Sequence, residues 1–301
     1  MKFEHSNEMP PDYERMKNEI LAEFPKEKIT GVDTKTVEDF IIGQGLPLKE
    51  YAVLSEEDLP KIRDIIGDSN FFHGMLEGEK FAGSYIPELQ MAFVYRRGIV
   101  PLATETTGNI FLEGLLVHEL GGHATSGYND FVTTDKKHFD VPRLGLCITN
   151  HQKNNEGTME GLMLEEGWAD MQYAEYVKTS RPEKKDSLVR ELGADMEKLI
   201  PFTIPEVGTI EVPVKYIYLD EEYSPNVRAT SLAGYALELL CKKNPKIKPL
   251  LFEARNSVQA LRDLAKEIDA IRPGLYEELQ SGEYSIKSFG KKLKEVMDVC
   301  G

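Results

Sequence analysis

The sequence predicts an α+β fold that is mostly helical and carries a small sheet. Apolar residues recur at three- and four-residue steps over 109–124, 158–178 and from 229 onward, which is helical spacing. Strict alternation is confined to 88–96, with weaker β-like segments at 202–204 and 209–219. With 301 residues, 41% of the chain hydrophobic and 29% charged, the composition is globular and ample for a sizeable core.

Taken in order, Met16, Ile20 and Phe24 mark a first helix over 13–24. Residues 33–66 read as two short helices parted by Gly43-Gln44-Gly45 and Pro47, with Ser55 capping the second. Gly67, Gly74, Gly78 and Gly83 make the next stretch a loop or hairpin. In the strand over 88–96, Leu89, Met91, Phe93 and Tyr95 alternate with Gln90, Ala92, Val94 and Arg96, which predicts one buried face. A short extended piece, 99–102, leads to the helix over 109–124, whose stripe is Phe111, Leu112, Leu115, Leu116 and Leu120.

Residues 125–157 show little periodicity. A connection of that length inside a compact domain is usually functional, and it holds Asn129, His138, Arg143, Asn150 and His151 as cleft candidates. The helix over 158–178 opens at Thr158 and Glu160, with Leu162, Glu166, Ala169, Asp170, Tyr173 and Val177 facing inward. A helix over 185–200 precedes the β segments, which turn at Pro205 and Gly208. The helices beyond Ala229 break at Asn244-Pro245, Pro273-Gly274 and Ser281-Gly282. Three regions follow: 1–87, helical and looped; 88–180, a catalytic core; and 181–301, a β-hairpin plus a helical lobe completing the cleft.

The bulk chemistry narrows the partners. A formal charge of −15 lacks the basic stripe a nucleic acid requires, and reads as solubility. No apolar run is long enough for a bilayer, so no membrane is expected. Cys147, Cys241 and Cys300 are an odd, scattered set that argues against a disulfide framework and excludes a cysteine-rich zinc site. With a polar, acidic start that is unlike a signal peptide, they predict a cytoplasmic protein. Cys147, between Leu146 and Ile148, reads as buried filler and not as a nucleophile. No motif sets the oligomeric state.

Chemistry concentrates at His118-Glu119-Leu120-Gly121-Gly122-His123, which holds two of the six histidines. Imidazoles suit Zn²⁺, and a glutamate beside them can serve as general base. On a regular α-helix, however, residues five apart point about 140° from each other. One extra residue taken up as a π-type bulge restores the overlap. Gly121-Gly122 would each cost about 1 kcal/mol in a regular helix but tolerate such a distortion, so the helix is expected to widen over 120–122. Further on, Glu165-Glu166-Gly167-Trp168-Ala169-Asp170 places Glu166 and Asp170 one turn apart. A ligating carboxylate with a second acid orienting a ligand imidazole is a standard zinc arrangement. Three protein ligands and an open fourth position describe a catalytic site.

The pair H-E-x-x-x-H and E-E-G-x-A-D resembles the gluzincin metallopeptidases whose active-site helix carries one extra residue. It is similar to the motifs of the dipeptidyl peptidase III family and of the tyrosine (tubulin) carboxypeptidases, where the second motif reads Glu-Gly-Leu-Ala. The resemblance covers 108–178. It implies a zincin-like core, one Zn²⁺ per chain held by His118, His123 and Glu166, and Glu119 as general base. Asp170 would hold one ligand histidine, and Glu165 would be an acid near the other. The expected activity is zinc-dependent hydrolysis of a peptide or protein substrate. An extended substrate would lie along the 89–96 strand if that strand is the sheet's edge. For the oxyanion-stabilising group the candidates are Tyr223, which is preferred, Tyr235, His151 and Arg228. The alternatives are an inactive metal-binding or regulatory protein of the same fold, a zinc hydrolase of a non-peptide amide, and a helical interaction scaffold drawn from 229–300. Intact Glu119 weighs against the inactive form.

Overall fold

A computed structural model of the chain describes residues 11–26, 29, 31–66, 83–86, 89–95, 112–125, 143–150, 158–180, 195–219, 225–281 and 283–301. The architecture is mostly helical with small sheets, in the α+β class expected. The chain divides into two compact units, 1–120 and 121–301.

In the first unit, α1 (Pro11–Glu23) buries Ile20 against a three-stranded sheet. Helix α2 (Thr34–Gly43) starts at Asp33, whose carboxylate accepts the Thr36 N–H at 3.0 Å. It stops where Gly45 turns left-handed (φ 72°), with Gly45 N–H on Ile42 O and Leu46 N–H on Ile41 O, so the glycine break acts as expected. A strand, β1 (Glu50–Leu54), which the sequence did not suggest, precedes the second helix. As expected, helical structure begins at Ser55, whose hydroxyl donates to Asp58 Oδ2: a 3₁₀ turn, Glu56–Asp58, leads into α3 (Leu59–Ile66). Strands β2 (Gly83–Ile86) and β3 (Met91–Tyr95) complete the sheet in the order β1-β3-β2, with β1 parallel and β2 antiparallel to β3. The strand expected over 88–96 is observed as β3, Met91–Tyr95, and is central, not an edge. All five of its residues are buried because both faces and both edges are covered.

The unit ends in a helix over 112–117 (α4). At His118 it passes into a π-helix, His118–Gly122, and then a 3₁₀ turn, His123–Thr125. The widening expected from the histidine spacing is present.

In the second unit, β4 (Arg143–Leu144), β5 (Cys147–Asn150) and β6 (Thr158–Glu160) form an antiparallel sheet. Residues 158–160 therefore do not open the next helix. The helix α5 (Leu162–Ser180) begins after Gly161, whose positive φ of 83° and closeness to the Leu146 carbonyl suit glycine alone. It is buried around most of its circumference, with Met163, Leu164, Trp168, Ala169 and Tyr176 inside, where a single stripe was expected. The helix expected over 185–200 is corrected at its end. Leu199 and Ile200 belong to β7 (Leu199–Ile204), paired with β8 (Gly208–Pro213) around the expected turn. Strands β9 (Ile217–Leu219) and β10 (Pro225–Val227) form a further hairpin.

Five helices follow: α6 (Ala229–Lys243), α7 (Ile247–Ala254), α8 (Val258–Asp269), α9 (Leu275–Gln280) and α10 (Ile286–Cys300). Leu261, Leu264 and Ile268 of α8, and Phe289, Leu293 and Val296 of α10, enter the core at helical spacing beside Trp168 and Leu237. The three expected breaks are present, and one more falls at Arg255-Asn256-Ser257, where Ser257 caps α8 by accepting the Ala260 N–H at 3.2 Å.

Candidate metal centre

The π-helix brings together what a regular helix would separate. His118, Glu119 and His123 each offer a ligand atom within 4.8 Å of the others, a group that can hold a metal ion. His118 and Glu119 are buried and His123 is partly so. The turn has to be widened, because a π-type step spreads one extra residue over the turn and returns position i+5 to the face of position i. Gly122 also has to be small. A Cβ there would stand 2.3 Å from Ala169 Cβ and 2.8 Å from Ala169 Cα of α5. On the N-terminal side, buried Glu113 of α4 accepts the backbone N–H of Asp33, the cap of α2, at 3.0 Å.

The His123 ring stands between two carboxylates of α5. Its Nδ1 faces Glu165 Oε1 at 3.2 Å and its Nε2 faces Glu166 Oε1 at 3.7 Å. With Nδ1–H donating to Glu165, Nε2 is left as the lone-pair nitrogen on the Glu166 side. Ligand atoms about 2.0–2.1 Å from a tetrahedral zinc lie roughly 3.3 Å apart, close to the Nε2–Glu166 separation. The donors are of a type that takes a metal ion, and the group gathered within 4.8 Å is His118, Glu119 and His123, with Glu166 approaching it from the His123 side.

Glu165 is buried and well satisfied. Oε1 also accepts from Arg255 Nη2 at 2.7 Å, and Oε2 accepts the Leu146 N–H at 2.8 Å. Burial pushes its carboxyl up, but Arg255, His123 and the Leu146 amide outweigh that and hold it below the ordinary glutamate value. Asp170 accepts from Thr230 Oγ1 at 3.1 Å and Ser231 Oγ at 2.9 Å, at the start of α6. No sequence pattern pointed to these two hydroxyls.

Glu119 lies beneath β2. A Cβ on Gly83 would come within 2.7 Å of Glu119 Oε1, so that glycine lets the strand pass directly over the carboxylate. Tyr95 of β3 feels the same group. Burial pushes its phenol up to about 12, the Ser84 hydroxyl eases it down and the charge of Glu119 adds to the rise.

Of the other candidates, Tyr235 is buried on α6 in a tilted contact with Tyr216, ring centroids 5.9 Å apart, a packing role. Arg228 occupies the N-cap position of α6. Tyr223, His151, Asn129 and His138 lie outside the described residues, while Arg143 and Asn150 contribute backbone to β4 and β5. Cys147 is buried, and burial with the nearby Glu165 and Glu166 pushes its thiol far up, which suits filler and not a nucleophile. Among the described residues, no helix is long and apolar enough to cross a membrane.

Set against known proteins, the chain matches no family model, no curated protein and no solved structure. The geometry by itself gives a His-Glu-x-x-x-His metal-binding triad on a π-turn.

Proposed function

We propose that this chain is a zinc-dependent metallopeptidase of the gluzincin kind. The observation that carries the reading is the His123 ring, held at Nδ1 by Glu165 with Nε2 turned to Glu166, beside a helix that widens to gather His118, Glu119 and His123. In this reading His118, His123 and Glu166 hold the zinc. Bound zinc would supply Lewis acidity, polarising a peptide carbonyl and acidifying a water.

The remaining work belongs to the chain. Glu119 takes the proton of the attacking water and delivers it to the leaving amine, a role supported by its closeness to both imidazole donors. Its burial keeps competing water away from that carboxylate. An extended peptide pairs along β2, which has β3 on one side and, among the described residues, no strand on the other. Gly83 then sets the depth at which the peptide passes Glu119.

A defined peptide mixture tests the reading. Zinc-loaded protein should cleave it, chelation should stop cleavage, and zinc should restore it. A zinc-loaded protein that leaves every peptide intact, or cleavage indifferent to chelation, contradicts the proposal. Glu166→Ala should lose most of its zinc affinity; undiminished uptake removes Glu166 from the ligand set.

A further inference from the structure

We infer that the junction between α7 and α8, Arg255-Asn256, is a positioning clamp for His123, so the metal centre depends on the C-terminal helices for the aim of one ligand. The inference rests on the metal reading above and goes beyond it. Arg255 is buried with its side chain fully shielded, and one nitrogen, Nη2, serves two acceptors. It donates to the Gly122 carbonyl, immediately before His123, and to Glu165 Oε1 at 2.7 Å. That same oxygen faces His123 Nδ1 at 3.2 Å. One guanidinium nitrogen therefore ties the backbone entering His123 to the carboxylate that orients its ring.

Asn256 holds the other side, its Nδ2 donating to the Thr125 carbonyl at 3.2 Å, two residues past His123. The π-turn makes such donors necessary. Its shifted bonding and its passage into a 3₁₀ turn leave carbonyls without regular helical partners. Gly121 O accepts from Trp168 Nε1 at 3.2 Å and Gly122 O from Thr125 Oγ1 at 2.8 Å, while Arg255 lies over the Trp168 ring, 5.8 Å from its centroid. As a stabiliser alone, a buried Arg–Glu pair is a poor device, because desolvation offsets much of its attraction. As a device that fixes an imidazole's tautomer and direction it is well suited.

The test is Co²⁺ binding by the full-length chain, because the visible bands of Co²⁺ report ligand number and geometry without requiring turnover. Arg255→Lys keeps the charge opposite Glu165 but replaces the planar fork with a compact, more strongly hydrated ammonium. Asn256→Ala removes one partly buried contact and leaves the charges untouched. We expect Arg255→Lys to weaken Co²⁺ binding by about 10–100-fold with altered bands. Asn256→Ala should show a smaller loss of the same kind, with the melting temperature of its metal-free form close to the parent's. Parental Co²⁺ affinity and bands in both variants overturn the clamp, as does a loss of affinity with unchanged bands that simply follows the loss of stability. A parent chain that binds no Co²⁺, or binds it equally well as His118→Ala, is a different result; it refutes the metal reading and the clamp with it.

Discussion

At Gly122 the chain has no room for one methyl group, because the nearest atoms are the Cβ and Cα of Ala169 on a neighbouring buried helix. Gly122→Ala should cost about 1–3 kcal/mol through overpacking. It should also spoil metal uptake, because the methyl acts next to His123; isothermal titration with zinc reads both affinity and stoichiometry, and parental values would exclude this. Gly83→Ala makes the contrasting case. The three atoms its methyl would press on most closely all belong to the Glu119 side chain. Zinc uptake should survive while peptide turnover falls by about 100-fold, the scale expected from a misplacement near 1 Å. At this scale much was legible in the sequence. The His118–His123 spacing demanded a distortion, and Glu165-Glu166 supplied carboxylates for both faces of His123. Arg255 was not legible. A lone arginine after Leu251-Phe252-Glu253-Ala254 looks like a solvated helix residue, and its partners lie 90 and 133 positions away.

Among the elements, the π-turn could be foreseen because two adjacent glycines and a five-residue histidine step require the same deformation. Strand β1 could not, because five residues following a helix break carry too little pattern to separate strand from helix. Strand β3 hid its position for another reason: alternation suggests one covered face, whereas a central strand is covered on both. Helix α10 carries a different kind of prediction. Buried Lys292 donates to the Leu279 carbonyl at 3.2 Å, and burial pulls its ammonium down to about 8, against 10.5 when free, despite the raising pull of Glu295 and Glu278. Because the folded value lies below the unfolded one, the unfolded chain binds more protons between these values, and stability rises with pH across that window. Lys292→Met should therefore stabilise the protein at neutral pH, by at most about 3 kcal/mol, and lose its advantage as pH approaches about 10. Thermal melts of both proteins across that range check it; an advantage that grows with pH contradicts the assignment.

For the whole molecule, helical breaks were the most readable feature, since proline and glycine interrupt a helix for reasons local to the backbone. The division at 120/121 was hidden because it falls inside one continuous helical segment. A metal bound to the folded chain alone should raise its stability by about 4 kcal/mol at a thousandfold excess over Kd. Melting with zinc and with chelator should differ accordingly, and coincident curves would speak against a site formed by folding. The central claim, peptide hydrolysis with Glu119 as the base, is tested most directly by turnover of Glu119→Gln at zinc occupancy equal to the parent's. One zinc per chain is expected in both proteins, with cleavage of the peptide mixture lost in the variant; cleavage at the parental rate would rule out Glu119 as the base.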